Sequence, residues 1–257
     1  MTPPILVERD GSVLRISLNR PERLNAFTNE MLALTAEAVE AAGKDSSVRV
    51  VVLGGAGRAF SAGADLVGGE AGDLPGTETI DAANRLVLAL RQVSQPVLAA
   101  VGGPAVGVGC SLALAADVTV ARASAYFLLA FAQVGLMPDG GATMLVPAAV
   151  GRARATRMAM LAERVPAPRA AEWGLITHAV PDDTFDVEVE RLTRQLADGP
   201  TAAFAQTKRA LNASSLAQLE NALAVEREGQ AQLFTTADFA EGVAAFREKR
   251  HPEFSGK

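Results

Sequence analysis

Two short loops of small residues are the strongest chemical signal in this 257-residue chain. The first is Phe60-Ser61-Ala62-Gly63-Ala64-Asp65-Leu66, and the second is Gly107-Val108-Gly109-Cys110-Ser111. Gly and Ala leave no bulky side chain between the backbone and a ligand, so an atom can approach the main-chain N–H groups closely. A helix that starts at such a loop also aims its unpaired N–H groups outward. Two such loops meeting at one point give two donors for one oxygen, which is the arrangement of an oxyanion hole. The titratable residue that stands out beside them is Asp139, in the turn Pro138-Asp139-Gly140-Gly141.

Composition removes several other chemistries. The single cysteine, Cys110, excludes an internal disulfide and fits a reducing, cytoplasmic setting. The two histidines, His178 and His251, are far apart, and with one cysteine no zinc-ligand spacing can be drawn, so no metal is expected. A net charge of −5 without a Lys/Arg cluster argues against a nucleic-acid partner. The start, Met1-Thr2-Pro3-Pro4, runs straight into a strand-like segment and reads as no signal peptide. The longest apolar stretch, Pro96 to Ala116, is interrupted by Gly102-Gly103-Pro104 and by the second loop, so no membrane span is expected. The run Gly107-Val108-Gly109-Cys110-Ser111-Leu112 lacks the third glycine of a dinucleotide fingerprint, and no G-x-S-x-G elbow is present.

The elements that must carry the loops follow from periodicity. Ile5–Glu8 and Val13–Leu18 alternate around Asp10-Gly11, a hairpin pattern. Thr28 is placed to cap a helix from Asn29 to Ala42, with Met31, Leu34 and Val39 on its apolar side. Val48–Leu53 and Val97–Val101 are buried strands, each leading into one of the loops. Val67 to Thr79 is Gly-rich, acidic and aperiodic, and is expected to be a mobile surface loop. Helices are expected at Ile80–Val93 and Ser111–Ala116, and short strands at Val118–Ala121 and Tyr126–Leu129. The Pro138 turn opens a further helix, and beyond Arg152 nearly everything reads as helical. Pro166, Pro181 and Pro200 mark helix starts or breaks. The last two helices, Leu216–Leu233 and Phe239–Arg250, are amphipathic. With 49% hydrophobic and 5% aromatic residues, the core is expected to pack backbone against backbone.

Taken in order, these segments resemble the crotonase superfamily, which includes enoyl-CoA hydratases and isomerases. The resemblance is carried by Leu18-Asn19-Arg20-Pro21, Leu24-Asn25-Ala26, Gly57 through Leu66, Pro96 through Val101, Gly107 through Ser111, Gly135 through Gly141 and Glu241 through Arg250. It covers almost the whole chain. It implies an α/β fold: a spiral of ββα units over residues 1–195 holding an acyl-CoA site, and a helical region over 196–257 used in trimer assembly. Members are usually trimers or hexamers, and no cofactor is expected beyond the coenzyme A of the substrate.

The resemblance assigns the oxyanion donors to the backbone N–H groups of Ala64 and Val108. It places Arg23 near the coenzyme A phosphates, and makes Ala26, Ala62, Asp65 and Leu66 substrate contacts. Gly107, Phe131 and Pro138 complete the expected substrate contacts. Hydratases of the family use two glutamates, which fall at Ser111 and Phe131 here; both acids are missing. Hydration by that route is therefore not expected. The isomerase branch instead places one acid in a Pro-Asp/Glu-Gly turn, which fits Asp139. One carboxylate suffices to take a proton from C2 of a 3-enoyl thioester and return it to C4. Phe127, Leu128, Phe131, Leu136 and Met137 surround it in sequence, and an apolar setting raises a carboxyl above its usual value near 3.9. Read without the resemblance, Asp139 before Gly-Gly and a helix is simply an N-cap. Asp65 reads as an anchor of its loop, and Ser111 as a small residue at a helix start. The expected function is enolate chemistry on an acyl-CoA, as a Δ3-Δ2-enoyl-CoA isomerase. The alternatives are an enoyl-CoA hydratase and a non-catalytic acyl-CoA-binding protein.

Overall fold

The computed structural model describes residues 2–67 and 75–257. A hairpin opens the chain: β1 (Ile5–Asp10) runs antiparallel to β2 (Val13–Leu18) across Gly11, whose φ is +56°. Helix α1 (Asn29–Lys44) starts where Thr28 Oγ1 accepts the Met31 N–H at 3.2 Å. Strand β3 (Val50–Gly55) then lies parallel to β2. Helix α2 (Thr77–Gln92) leads to β4 (Val97–Val101), parallel to β3. Much of the expected loop at Val67–Thr79 lies outside the described residues; its far end is already helical, because α2 begins at Thr77 rather than Ile80.

After β5 (Ala105–Val106) comes α3 (Val108–Leu114), which starts three residues earlier than the expected Ser111. Gly107, with φ +54° and ψ −132°, turns the chain so that the helix begins inside the second loop itself. Strands β6 (Val118–Arg122) and β7 (Tyr126–Leu128) follow, then a 3-10 turn at Ala130–Val134. Helix α4 (Ala142–Met160) is bent where Gly151 leaves helical geometry at φ +76°. The stretch beyond Arg152 is not uniformly helical. Strand β8 (Val165–Pro166) precedes α5 (Ala167–Trp173), and β9 (His178–Val180) precedes α6 (Phe185–Asp198). Two- and three-residue strands carry no readable periodicity, and here distant pairing creates them. Helices α7 (Thr201–Ser215), α8 (Leu219–Leu233) and α9 (Ala237–Glu248) complete the chain.

The strands form a six-stranded sheet in the order β1-β2-β3-β4-β6-β9, parallel except for the first pair. A smaller sheet has the order β5-β7-β8. Both faces of the large sheet are covered, so its central strands are apolar throughout rather than alternating. Val51 and Leu53 face the core shared with α1 and α2, where Met31, Leu32, Leu86 and Leu90 are fully buried. Val50, Val52, Leu98 and Val120 face Phe185 and Val189 of α6. The two small-residue loops leave the same end of this sheet, after β3 and β4.

Helices α7 and α8 are tied back by charge. Lys208 of α7 donates to Asp117 at 2.7 Å and to the Leu90 carbonyl at 2.7 Å, and Arg91 pairs with Asp117 at 3.2 Å. Arg227 of α8 makes a two-pronged pair with Asp81 of α2.

Candidate active site

The first loop is built on Asn25, buried and held at φ +54°. Its Oδ1 accepts the Arg20 N–H, while Nδ2 donates to the carbonyls of Ala56 and Ala59, each at 2.9 Å. Ser61 Oγ donates to the Asn25 carbonyl at 2.8 Å and accepts the Gly63 N–H. Asp65 pairs with Arg20 at 3.1 Å and also accepts the Val67 N–H, so its carboxylate is engaged in holding the loop.

Ala64 pairs with Phe27 in a parallel bridge: the Phe27 N–H donates to the Gly63 carbonyl, and the Asp65 N–H donates to the Phe27 carbonyl. In such a ladder the residue opposite turns its own N–H away. Val108 is the first residue of α3, and the carbonyl four residues back, at Pro104, instead accepts the Phe60 and Ser61 N–H groups. Among the described residues, no acceptor pairs with the N–H of Ala64 or of Val108.

The two loops touch. A Cβ on Gly63, at φ +95°, would lie 3.0 Å from the Val106 carbonyl, and a Cβ on Gly107 would lie 3.6 Å from Gly63 Cα. Close approach of backbone to backbone thus demands glycine at the crossing, as the small-residue composition implied. Ala64 and Val108 both line one cleft of about 850 Å³.

The same cleft is lined by Arg23, Ala26, Ala62, Asp65, Leu66, Gly107, Phe131 and Asp139. Pro138, expected as a substrate contact, is buried and is not in the lining. Arg23 and Arg58 are exposed at the cleft, and neither is in an ion pair among the described residues. Residues from beyond 195 also reach the cleft, including Gln230, Phe234, Phe246 and Arg250.

Asp139 does not cap α4. The residue at the cap is Gly141, and the helix N-terminus is satisfied from outside by Glu226 of α8. Glu226 accepts the Gly141 N–H at 2.7 Å, the Thr143 N–H at 2.8 Å and the Thr143 hydroxyl at 2.6 Å. That frees the Asp139 carboxyl. Its Oδ2 accepts from Gln230 Nε2 at 2.9 Å, and its Oδ1 has no partner. Burial pushes the carboxyl up to about 7, against the lowering effect of the Gln230 hydrogen bond and with a smaller push from Glu226. Burial raises the Glu226 carboxyl as well, opposed by its bonds from Thr143 and Gly141.

Ser111 Oγ is fully buried and donates to the Asp139 carbonyl at 2.7 Å. It fixes the turn, and Phe131 beside the cleft is apolar. Cys110 is buried and its thiol is pushed up to about 12, so it stays protonated. Gln230 and Glu226 belong to no motif of the sequence. Their signal is present, however: Leu219, Leu223, Glu226 and Gln230 share one buried face of α8, and two polar residues on an apolar stripe need buried partners. Among the described residues, no cluster of His, Cys, Asp and Glu could hold a metal ion.

Comparison with known proteins places the fold in a family. The family model for Enoyl-CoA hydratase/isomerase matches residues 8–257. The 1,2-epoxyphenylacetyl-CoA isomerase of Escherichia coli is 41% identical over 98% of both chains. A probable enoyl-CoA hydratase of Rhodobacter capsulatus is 46% identical over 94% of both. The crystal structure of an enoyl-CoA hydratase from Mycobacterium avium subsp. paratuberculosis superimposes with a TM-score of 0.93 at 46% identity, covering 98% of this chain and 99% of that one. With its parallel-rich sheet, its helical C-terminal region and its two apposed loops, this chain belongs to the enoyl-CoA hydratase/isomerase family and has the crotonase fold.

Proposed function

We propose that the protein is a Δ3-Δ2-enoyl-CoA isomerase-type enzyme in which Asp139 carries the proton. The observation that supports this most is the state of Asp139: a buried carboxyl, displaced to about 7, with one unpartnered oxygen, in the cleft where the free N–H groups of Ala64 and Val108 stand.

The chemistry follows from those parts. The thioester carbonyl oxygen accepts from the N–H groups of Ala64 and Val108. This polarisation acidifies the C2–H bond, and Asp139 Oδ1 takes that proton. The C2–H electrons move onto the thioester oxygen as a dienolate, which the two donors stabilise; removing one such donor costs about 10²–10³ in rate. Protonated Asp139 then delivers the proton to C4, and the double bond ends between C2 and C3. A carboxyl near 7 serves both halves, since it is half ionised at neutral pH. Arg23, with Arg58, meets the coenzyme A phosphates, and Ala26, Ala62, Leu66 and Phe131 contact the substrate between.

A hydratase reading is favoured by the names of relatives, including the Rhodobacter protein and the 2,3-dehydroadipyl-CoA hydratase of Escherichia coli at 36% identity. Isomerases are also represented, among them the trans-2-decenoyl-[acyl-carrier-protein] isomerase of Streptococcus mutans at 33%. The side chains support isomerisation: the Ser111 hydroxyl is committed to the Asp139 carbonyl, and Phe131 has no proton to move. The test supplies 3-enoyl-CoA and 2-enoyl-CoA separately and follows conjugated-thioester absorbance. Isomerisation abolished by Asp139→Asn supports the reading; fast hydration of 2-enoyl-CoA overturns it. Binding of the ester without turnover would identify an acyl-CoA-binding protein. We assign residues 196–257 to assembly of a homotrimer or hexamer, which sedimentation checks, and the protein to the cytoplasm.

A further inference from the structure

A proton-carrying Asp139 needs one carboxyl oxygen held in a fixed place. Gln230 sits one turn beyond Glu226 on α8, and both point into the turn that carries Asp139. Gln230 is fully buried, and its Nε2 gives one hydrogen to the Met137 carbonyl and the other to Asp139 Oδ2, each at 2.9 Å. Using both hydrogens fixes which end of the amide faces Asp139. Oδ2 is thereby occupied, and Oδ1 is left as the unpartnered oxygen of a cleft-lining residue.

We propose that Gln230 is a positioning residue for the isomerisation: it clamps Asp139 Oδ2 so that Oδ1 alone exchanges the proton, and it ties that geometry to helix α8. This rests on the proton-carrier role of Asp139. Among the described residues, the groups that shift the Asp139 carboxyl are Gln230 and Glu226, both from α8, while the neutral Ser111 hydroxyl of α3 bonds the Asp139 main-chain carbonyl. Gln230 is thus the hydrogen-bond donor to the carboxylate, and Glu226 the charge that opposes its ionisation. Losing the donor destabilises the ionised form, so the carboxyl titrates at higher pH. It also lets the carboxyl rotate, and a misplaced base costs up to about 10² in rate.

The experiment compares Gln230→Met, of similar length but without donors, with wild type and Asp139→Asn. Steady-state isomerisation is measured from pH 5 to 9, and Asp139 is titrated by carboxyl-carbon NMR. The expected result for Gln230→Met is a kcat reduced about 10- to 100-fold, KM within about threefold, and an acid limb of kcat/KM moved to higher pH, with the carboxyl resonance moving in parallel. Gln230→Glu, of the same length, should move the limb up as well, because two carboxyls at hydrogen-bond distance resist joint ionisation, and it serves if Gln230→Met does not fold. A folded Gln230 variant with wild-type kcat and an unmoved pH profile, beside an inactive Asp139→Asn, overturns the clamp and leaves the proton carrier standing. An active Asp139→Asn overturns the proton carrier itself.

Discussion

Replacing Asp139 by Asn should cost activity and gain stability, and the gain should depend on pH in a specified direction. The carboxyl is raised from 3.8 to about 7 by burial. A group whose folded pKa is raised favours the folded state in its protonated form. Its contribution is complete below about 3.8 and is lost as pH rises through about 7. A displacement of about 3 units corresponds to about 4 kcal/mol at 1.36 kcal/mol per unit. The site relaxes around the charge once Asp139 ionises, so about 2–4 kcal/mol is expected at pH 8. Asn keeps the shape, and its carbonyl oxygen can still accept from Gln230. At pH 8 the variant should therefore resist urea better than wild type by that amount, and at pH 4 the two should nearly coincide. Isomerisation should fall about 10²–10⁴-fold, and wild-type kcat/KM should climb with pH to a plateau above about 7. Unfolding at both pH values, at one protein concentration, supplies the comparison. A stability difference that is the same at pH 4 and pH 8 would refute the idea that Asp139 is buried against its own charge.

Glu226→Gln removes the charge that opposes Asp139 ionisation, so the acid limb of kcat/KM should shift to lower pH, while weakening of the α4 cap costs about 1 kcal/mol of stability. Gly63→Ala forces a Cβ to 3.0 Å from the Val106 carbonyl at a backbone angle suited to glycine, and should lower kcat about 10²-fold or more by spreading the two N–H donors. Fluorescence-detected CoA-ester binding would show whether the loss lies in chemistry or in affinity. Lys208→Met leaves Asp117 and Arg91 as an incomplete buried cluster and should cost about 3 kcal/mol in urea unfolding, with specific activity of the folded protein unchanged.

The raised carboxyl of Asp139 follows from a division of labour between two acids on different elements. Glu226 spends its charge on the N-terminus of α4, where main-chain N–H groups favour it. Asp139 is then spared the capping role that its place in sequence suggests, and its carboxyl faces apolar surroundings with a single donor.

Much of this was readable from the residues alone. The strands after which the loops lie are β-branched runs that both faces of a covered sheet require, and the loops themselves are the small residues that two crossing backbones demand. The absence of acids at Ser111 and Phe131, and the presence of one at Asp139, are facts of sequence. The choice between cap and free carboxyl for Asp139 was not, because both readings satisfy the same local pattern. Glu226, 87 positions further along the chain, decided it by taking the cap. Likewise β8 and β9 are too short to show a period and exist because distant strands pair with them. The start of α3 at Val108 depended on the turn at Gly107, and the lock on Asp139 Oδ2 on how α8 packs. Short-range patterns set elements and close approaches; which polar group meets which across the fold is a matter of tertiary packing, since burial is what makes each partner obligatory.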